Sequence, residues 1–148
     1  ADNCLMFFGD GKQAIQDLQV FYSMSIDSGS YDNLDDVFIR EVVSDYGHAG
    51  THQGIPGIKE ACRIALEPLT SAQHTNGNHW AEIDGDTATA GCYFTVHMFG
   101  EGTPGGEHFR MGGVYTDTLT RTAKGWRISR RSMRVLWSDG NRDVRFNR

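Results

Sequence analysis

The stretch Thr87–Phe99, TATAGCYFTVHMF, decides the fold predicted for this chain. Its even-numbered positions are apolar: Ala88, Ala90, Cys92, Phe94, Val96 and Met98. Its odd-numbered positions mix aromatic with polar residues, among them Thr87, Tyr93, His97 and Phe99. Because successive side chains of a strand point to opposite faces, this alternation predicts a long strand with one face in a core. The aromatic content of the other face predicts that it meets a second copy of the chain, as a dimer or a trimer.

Period-two patterns continue on both sides of this stretch. The predicted strands are QHTNGNHWAEI (73–83), HFRMGGVYTDTLTRT (108–122) and GWRISRRSMRVLW (125–137). Turns are expected at DGD (84–86), at the glycine-rich GEGTPGG (100–106) and at AKG (123–125). The second half of the chain is therefore predicted to consist of strands.

The first half has helical spacing instead. Ile15, Leu18, Tyr22 and Ile26 recur every three or four residues, and the D-x-x-Q pattern at 10–13 predicts where this helix begins. NLDDVFI (33–39) predicts a short second helix and GIKEACRIALEPL (57–69) a third, with one or two short strands in VVSDYGHAGTHQG (42–54). Helices followed by strands predict an α+β fold, with three N-terminal helices on one face of an antiparallel sheet.

Composition narrows the class of protein. The 148 residues predict one domain over 1–148, and 39% apolar residues indicate a globular chain. A net charge of −5 argues against a nucleic-acid partner, which needs a basic face. The apolar CLMFFG (4–9) is too short to span a membrane, so no membrane association is expected. Three widely spaced cysteines without a CxxC motif predict reduced thiols and a cytoplasmic protein.

Asp27 and His74 are the residues most suggestive of chemistry. Asp27 follows the apolar stripe of the first helix, where an unpaired carboxylate would be costly. If that helix crosses the sheet, Asp27 could hold one ring nitrogen of His74 and leave the other as a base. The alternatives are an aspartate that caps the following SGSYD turn and a half-buried strand histidine whose hydrogen bonds are satisfied. Strand parity places His74 on the side of Asn76, Asn78 and Trp80, and predicts His79 at the surface.

The remaining histidines predict no metal site and no cofactor. His48 and His52 have H-x-x-x-H spacing, but three glycines in GHAGTHQG indicate a turn rather than a helix face. His97 and His108 flank the hairpin tip and are expected to be cross-strand neighbours.

The motifs resemble the SnoaL-like branch of the nuclear-transport-factor-two-like superfamily. The resemblance rests on AIQDLQVFYSMSID (14–27), GIPGIKEA (54–61), His74 before IDGDTATAGCYF (83–94), and GGVYTDTLTRTAKGWRISRR (112–131). It implies a cone in which a curved antiparallel sheet and helices surround a deep pocket. This fold is found in cyclases, isomerases, dehydratases, epoxide hydrolases and non-catalytic subunits, so it does not imply one function.

Within the superfamily, scytalone dehydratase and the hexachlorocyclohexane dehydrochlorinase are the most similar in their site pattern. The resemblance to them implies a catalytic pair, Asp27 with His74, and places Tyr46, His97 and Arg131 at further catalytic positions. Tyr22 stands where the dehydrochlorinase has a lysine, and Ile26 where the dehydratase has a tyrosine. Substrate contacts are expected from four residues: Tyr22, Asn76, Trp80 and Phe99.

These expectations combine into a cofactor-independent lyase of the dehydratase type. His74 would remove a proton next to a carbonyl, Tyr46 would stabilise the enolate, and His97 or Arg131 would assist the loss of water from a small, hydrophobic or oxygenated cyclic substrate. One alternative is an isomerase or polyketide cyclase that uses the same pair. The other is a non-catalytic ligand-binding or assembly protein, such as the small subunit of a ring-hydroxylating dioxygenase.

Overall fold

A computed structural model of the chain describes residues 2–146, with side chains from residue 11 onward. The helices are α1 (Asp2–Asp27), α2 (Gly54–Leu66) and α3 (Asp143–Phe146), with 3-10 helices at Tyr31–Asp36 and Gly47–Ala49. The strands are β1 (Phe38–Asp45), β2 (Thr51–Gln53), β3 (Ser71–Asp84), β4 (Thr87–Phe99), β5 (His108–Thr122) and β6 (Gly125–Gly140). The predicted α+β class is confirmed.

The six strands form one curved sheet in the order β2-β1-β6-β5-β4-β3. Tight turns join β3 to β4 and β5 to β6, and a longer glycine-rich turn joins β4 to β5. One pair departs from the predicted antiparallel arrangement, because β1 runs parallel to β6. These two strands are far apart in the chain, so no hairpin turn constrains their relative direction.

The core lies between the inner face of this sheet and the helices. All six even-numbered residues of β4 are buried, as the alternation predicted: Ala88, Ala90, Cys92, Phe94, Val96 and Met98. The helix α1 packs across β3, and α2 packs on β1 and on the first 3-10 helix. The short second helix predicted near residue 33 is this 3-10 helix, with Leu34 fully buried.

The start predicted for α1 at Asp10 is wrong, since the helix begins at Asp2. A helix that has already formed gains one hydrogen bond per added residue. It therefore continues through the D-x-x-Q start signal and through Gly11. Gly11 also has a packing reason, because a Cβ there would lie 2.9 Å from Ile83 Cδ1. The glycine therefore lets α1 approach β3 closely.

Candidate active site

Asp27 and His74 meet where α1 ends above β3. The backbone N–H of His74 donates to Asp27 Oδ2 at 2.6 Å, and His74 Nδ1 lies 2.5 Å from Asp27 Oδ1. With the carboxylate ionised, Nδ1 carries the shared proton, so Nε2 is the acceptor nitrogen of the neutral ring. Nε2 has no hydrogen bond to any residue that the structure describes, and the ring borders a cavity. The carboxylate thus fixes both the tautomer and the direction of the ring.

The cavity beside His74 has a volume of about 210 Å³. This is the space of about seven water molecules at about 30 Å³ each, which suits a ligand of one ring. Its wall is mainly apolar, with Ile26, Ile64, Leu66 and Val96 and three methionines, Met98, Met111 and Met133. Methionine side chains adapt to irregular shapes, so this wall can accommodate a ligand without a rigid match.

Two tyrosines place neighbouring hydroxyl groups in the cavity wall. The hydroxyl groups of Tyr22 and Tyr46 lie 2.8 Å apart, and Tyr22 Oη is 3.6 Å from Cys62 Sγ. Burial raises the pKa of both tyrosines well above the usual value of a phenol. The pair therefore stays neutral and holds two protons, of which the mutual hydrogen bond uses one. When Tyr22 donates to Tyr46, the Tyr46 proton is available to a ligand oxygen, whereas in the reverse direction the Tyr22 proton can go to Cys62 Sγ.

Arg131 lies beneath the cavity and does not line it. The side chain is fully buried, with the guanidinium 4.4 Å from the ring centre of Tyr22 and 4.3 Å from that of Tyr115. Nε and Nη2 donate to the carboxylate of Asp117 at 2.7 and 2.8 Å. Burial lowers the pKa of Arg131, but the charge of Asp117 outweighs this and raises it. Arg131 can act on a ligand only through the tyrosine rings.

The predicted location of His97 and Phe99 in the cavity is wrong. Both residues belong to the odd-numbered, outer face of β4, whereas the cavity lies on the inner face. His97 is exposed and its Nε2 lies 2.8 Å from Nδ1 of His108 on β5. The ring of Phe99 packs against the same histidine at 5.1 Å. The sequence expectation that His97 and His108 are cross-strand neighbours agrees with this position.

The predicted substrate contact from Trp80 is also wrong, because β3 contains a bulge. Gly77 pairs with Tyr93 and Trp80 with Gly91, so β3 has one extra residue here, and Asn78 adopts a φ of 50°. An extra residue reverses the faces of everything beyond it. Trp80 therefore packs over Gly91 on the outer face and remains 45% exposed.

The same bulge turns His79 inward, although parity had placed it at the surface. Its Nδ1 lies 2.8 Å from Oε1 of Gln19 on α1. Asn76, which precedes the bulge, lies on the inner face but outside the cavity lining. Its amide donates to the backbone oxygen of Gln19 and to Ser23 Oγ. Both residues hold α1 against β3 instead of facing a ligand.

Sequence reasoning does not assign four polar residues near the site: His52, Tyr115, Asp117 and Arg145. His52 was dismissed with its turn, yet β2 brings it to the cavity wall, where its ring packs against Tyr46 at 5.9 Å. Arg145 reaches the cavity from α3, in a tail whose position no sequence pattern indicated. A signal existed for Asp117, because an acid at an inward position of a buried strand requires a partner.

Within the described part of the chain, no group of three or more His, Cys, Asp or Glu side chains comes together as metal ligands do. No helix in that part combines the length and the apolar character that crossing a bilayer requires.

The comparison with known sequences agrees with the fold. The SnoaL-like domain family matches residues 10–132 of the chain. The uncharacterized protein Rv2910c of Mycobacterium tuberculosis is 36% identical over 120 residues, which cover 79% of this chain and 80% of that protein.

Solved structures give the same picture. A Novosphingobium aromaticivorans protein assigned as an aromatic ring hydroxylase is 27% identical, with a TM-score of 0.80 over 91% of this chain and 96% of that one. A second protein from the same organism, assigned as a scytalone dehydratase, is 17% identical, with a TM-score of 0.80 over 95% of this chain and 91% of that one. A hexachlorocyclohexane dehydrochlorinase, LinA type 2, is 17% identical, with a TM-score of 0.80 over 99% and 97%. With the family match covering most of its length, this chain belongs to the SnoaL-like domain family.

Proposed function

We propose that the protein is a cofactor-independent lyase of the dehydratase type, acting on a small cyclic substrate. The observation that carries the proposal is the Asp27–His74 pair, in which the carboxylate holds Nδ1 and the ring lines a mainly apolar cavity. An oriented base beside an apolar cavity suits the removal of a proton from carbon. The dehydratase assignment of one structural neighbour and the dehydrochlorinase name of another are consistent with this class.

In this proposal, His74 Nε2 takes a proton from the carbon next to a carbonyl group. Asp27 stabilises the imidazolium that forms. The free O–H of the Tyr22–Tyr46 pair donates a hydrogen bond to the carbonyl oxygen as it becomes an enolate, and the proton stays on the tyrosine. The electron pair then expels the hydroxyl group of the neighbouring carbon, which leaves as water after it takes a proton. The net change is the loss of one water molecule and the formation of a carbon–carbon double bond.

The proton for the leaving group comes from the His74 imidazolium or from His52. His97 was expected in this role, but it is on the outer face of the sheet. Arg131 was the other candidate, but Tyr22 and Tyr115 separate it from the cavity. His52 borders the cavity and is therefore the better second group. We assign Arg131 a positioning role, because it holds the two tyrosine rings between which it packs.

An experiment on turnover tests the base directly. The purified protein is incubated with a panel of single-ring β-hydroxy ketones, and the masses of the products are measured by mass spectrometry. Loss of the mass of water identifies a lyase, whereas an unchanged mass identifies an isomerase or cyclase. On any substrate found, Asp27→Asn is expected to fold and to lose about a hundred- to ten-thousand-fold in kcat.

Asp32→Asn is the matched control, since Asp32 is an exposed acid that pairs with Lys59 far from the cavity. It is expected to keep wild-type turnover. Tyr46→Phe should lower kcat by about a hundredfold, the usual cost of one enolate-stabilising donor. Wild-type turnover in Asp27→Asn would remove the pair from the mechanism.

A non-catalytic subunit is the second candidate, and one observation favours it. The structural neighbour with 27% identity is assigned as an aromatic ring hydroxylase. In that case Asp27 and His74 would form a structural pair. Co-purification of the untagged protein with a larger iron-containing chain would favour this candidate over the lyase.

We further propose a cytoplasmic homo-oligomer that assembles through the outer face of the sheet. Three aromatic side chains support this assembly, because they remain about half exposed on that face: Trp80, Tyr93 and Trp137. The cytoplasmic location is supported by Cys62 and Cys92, which are both buried free thiols.

A further inference from the structure

A second concavity adjoins the cavity. We call it the entrance groove; its volume is about 630 Å³. Five residues border both spaces: Tyr46, Ala49, Met111, Met133 and Arg145. The groove and the cavity therefore share a wall, and Arg145 is part of that wall.

The charge of the entrance groove is opposite to that of the chain. Arg134, Arg142 and Arg145 line it together with His48, and none of its described lining residues is acidic. The chain as a whole carries a net charge of −5. A groove whose charged side chains are all cationic, on a protein rich in carboxylates, is a site for an anion.

These three arginines also differ from most others in having no acidic partner. Five arginines elsewhere lie within 4.0 Å of a carboxylate: Arg63, Arg110, Arg121, Arg127 and Arg131. No ion pair joins an arginine of the groove to a carboxylate among the described residues. For Arg145, which is half-buried, the absence of a partner has an energetic cost. Burial without a compensating charge lowers the pKa of its guanidinium.

The tail holds Arg145 at the junction firmly. Val144, which directly precedes Arg145, is fully buried and anchors α3 to the body of the protein. The Asn141 amide donates to the backbone oxygens of Pro104 and Gly106 at 2.9 and 2.7 Å. Asn141 Oδ1 accepts from the backbone N–H of Asp143 at 3.1 Å. The backbone of Arg145 is therefore placed before any ligand arrives, and its guanidinium packs over the ring of Phe146 at 5.0 Å, an order that lowers the entropic cost of binding.

We propose that the substrate is a carboxylic acid whose carboxylate binds Arg145, while its apolar ring fills the inner cavity. The inference rests on the proposed function, and it names the class of substrate. One guanidinium reaches the inner cavity, so a single negative charge matches it, and a carboxylate fits its paired N–H groups in two parallel hydrogen bonds. Arg134 and Arg142 attract the anion into the groove. Arg145 is then a specificity-determining residue.

Binding of a matched pair of probes tests this assignment. The probes are 3-phenylpropanoate and the neutral 3-phenylpropanamide, which share a ring and chain length and differ in charge. Isothermal titration calorimetry on the 148-residue protein is expected to show the acid binding at least about tenfold more tightly than the amide. Raising the ionic strength from about 0.05 to 0.5 M should weaken the binding of the acid and leave the binding of the amide unchanged.

Two variants test whether Arg145 causes the preference for the acid. Arg145→Met keeps most of the side-chain length and should bring the ratio of the two affinities to about one. Arg130→Met is the matched control. It removes the same charge, but Arg130 is exposed on β6 and lies outside both concavities. Its ratio should stay at the wild-type value. Melting temperatures measured by circular dichroism check that both variants fold.

Three results would overturn the assignment: equal binding of acid and amide by the wild type, a preference for the acid that survives Arg145→Met, and no binding of the acid at millimolar concentration. The titrations are repeated in His74→Ala, where the base is absent and binding of the acid should persist. If the protein is not a lyase, the turnover experiment fails while the preference for the acid remains. If only this inference is wrong, the preference is absent while Asp27→Asn still lowers turnover.

Discussion

At the scale of single residues, Cys62 shows how burial makes the fold sensitive to pH. The thiol is 5% exposed in the cavity wall. Burial raises its pKa from the usual 9.0 to about 11, because the thiolate would lose its hydration. The unfolded chain therefore releases this proton at a lower pH than the native protein does. The stability that the protonated thiol contributes is complete below pH 9 and is lost as pH rises toward 11.

We expect Cys62→Ala to have a smaller loss of stability at alkaline pH. Between pH 8 and 10.5 the wild type should lose about 2 kcal/mol of unfolding free energy from this thiol, and the variant should not. Urea unfolding at both pH values measures the difference. Tyrosines also titrate in this range, but their contribution is common to both proteins and cancels. Equal losses in the two proteins would contradict the buried, protonated thiol.

At the scale of elements, β5 and β6 hold two oppositely charged pairs in direct register. Asp117 is opposite Arg131, and Arg110 is opposite Asp139. The first pair is fully buried, whereas the side chains of the second are 50% and 63% exposed. The same cross-strand geometry therefore occurs in two different dielectric surroundings, which makes the two pairs a matched comparison.

Asp117→Asn is expected to lower the free energy of unfolding by about 3–5 kcal/mol, because it leaves the charge of Arg131 buried without its counter-ion. Asp139→Asn should cost at most about 1 kcal/mol, since water screens an exposed pair. Urea unfolding of both variants at pH 7 measures the contrast. Equal costs would show that burial of the Asp117 pair has no energetic consequence.

At the scale of the whole molecule, the sheet has one face on the core and one face outside. Tyr93 is 53% exposed on the outer face, at the middle of β4 and in its odd-numbered set. Exposed aromatic groups of this kind on a sheet are typical of surfaces that bind another protein. The proposed oligomer would cover them.

Light scattering after size exclusion should give the mass of a dimer or trimer at micromolar concentration. Tyr93→Lys should shift the protein toward the monomer, because it places a charge in the interface. Met24→Lys is the control, as Met24 is 66% exposed on α1, away from the sheet. A wild type that is monomeric at these concentrations would refute the assembly.

The sequence was sufficient where the structure depends on local periodicity. The faces of β4 follow from the alternation of its residues, and the buried stripe of α1 from Ile15, Tyr22 and Ile26 at helical spacing. In both elements, contact with the core repeats at the period of the backbone itself, so one stretch of chain contains the whole signal.

Sequence reasoning failed where pairing between strands decides the outcome. The bulge at Asn78 is a difference in count between β3 and β4, and neither strand alone contains it. Trp80 and His79 were consequently assigned to the wrong faces. The beginning of α1 was misplaced for a related reason, since a local start signal cannot show that a helix already exists before it.

The chain by itself determined which segments are helices and strands, which faces are apolar and which family the motifs resemble. Only the tertiary structure decided what meets at the site. Asp27 and His74 are 47 residues apart, and Arg145 comes from the tail. Their positions depend on how α1 crosses β3 and how α3 docks, which are packing solutions of the whole molecule. Local side-chain chemistry can nominate such residues, but only the packed core brings them within contact distance.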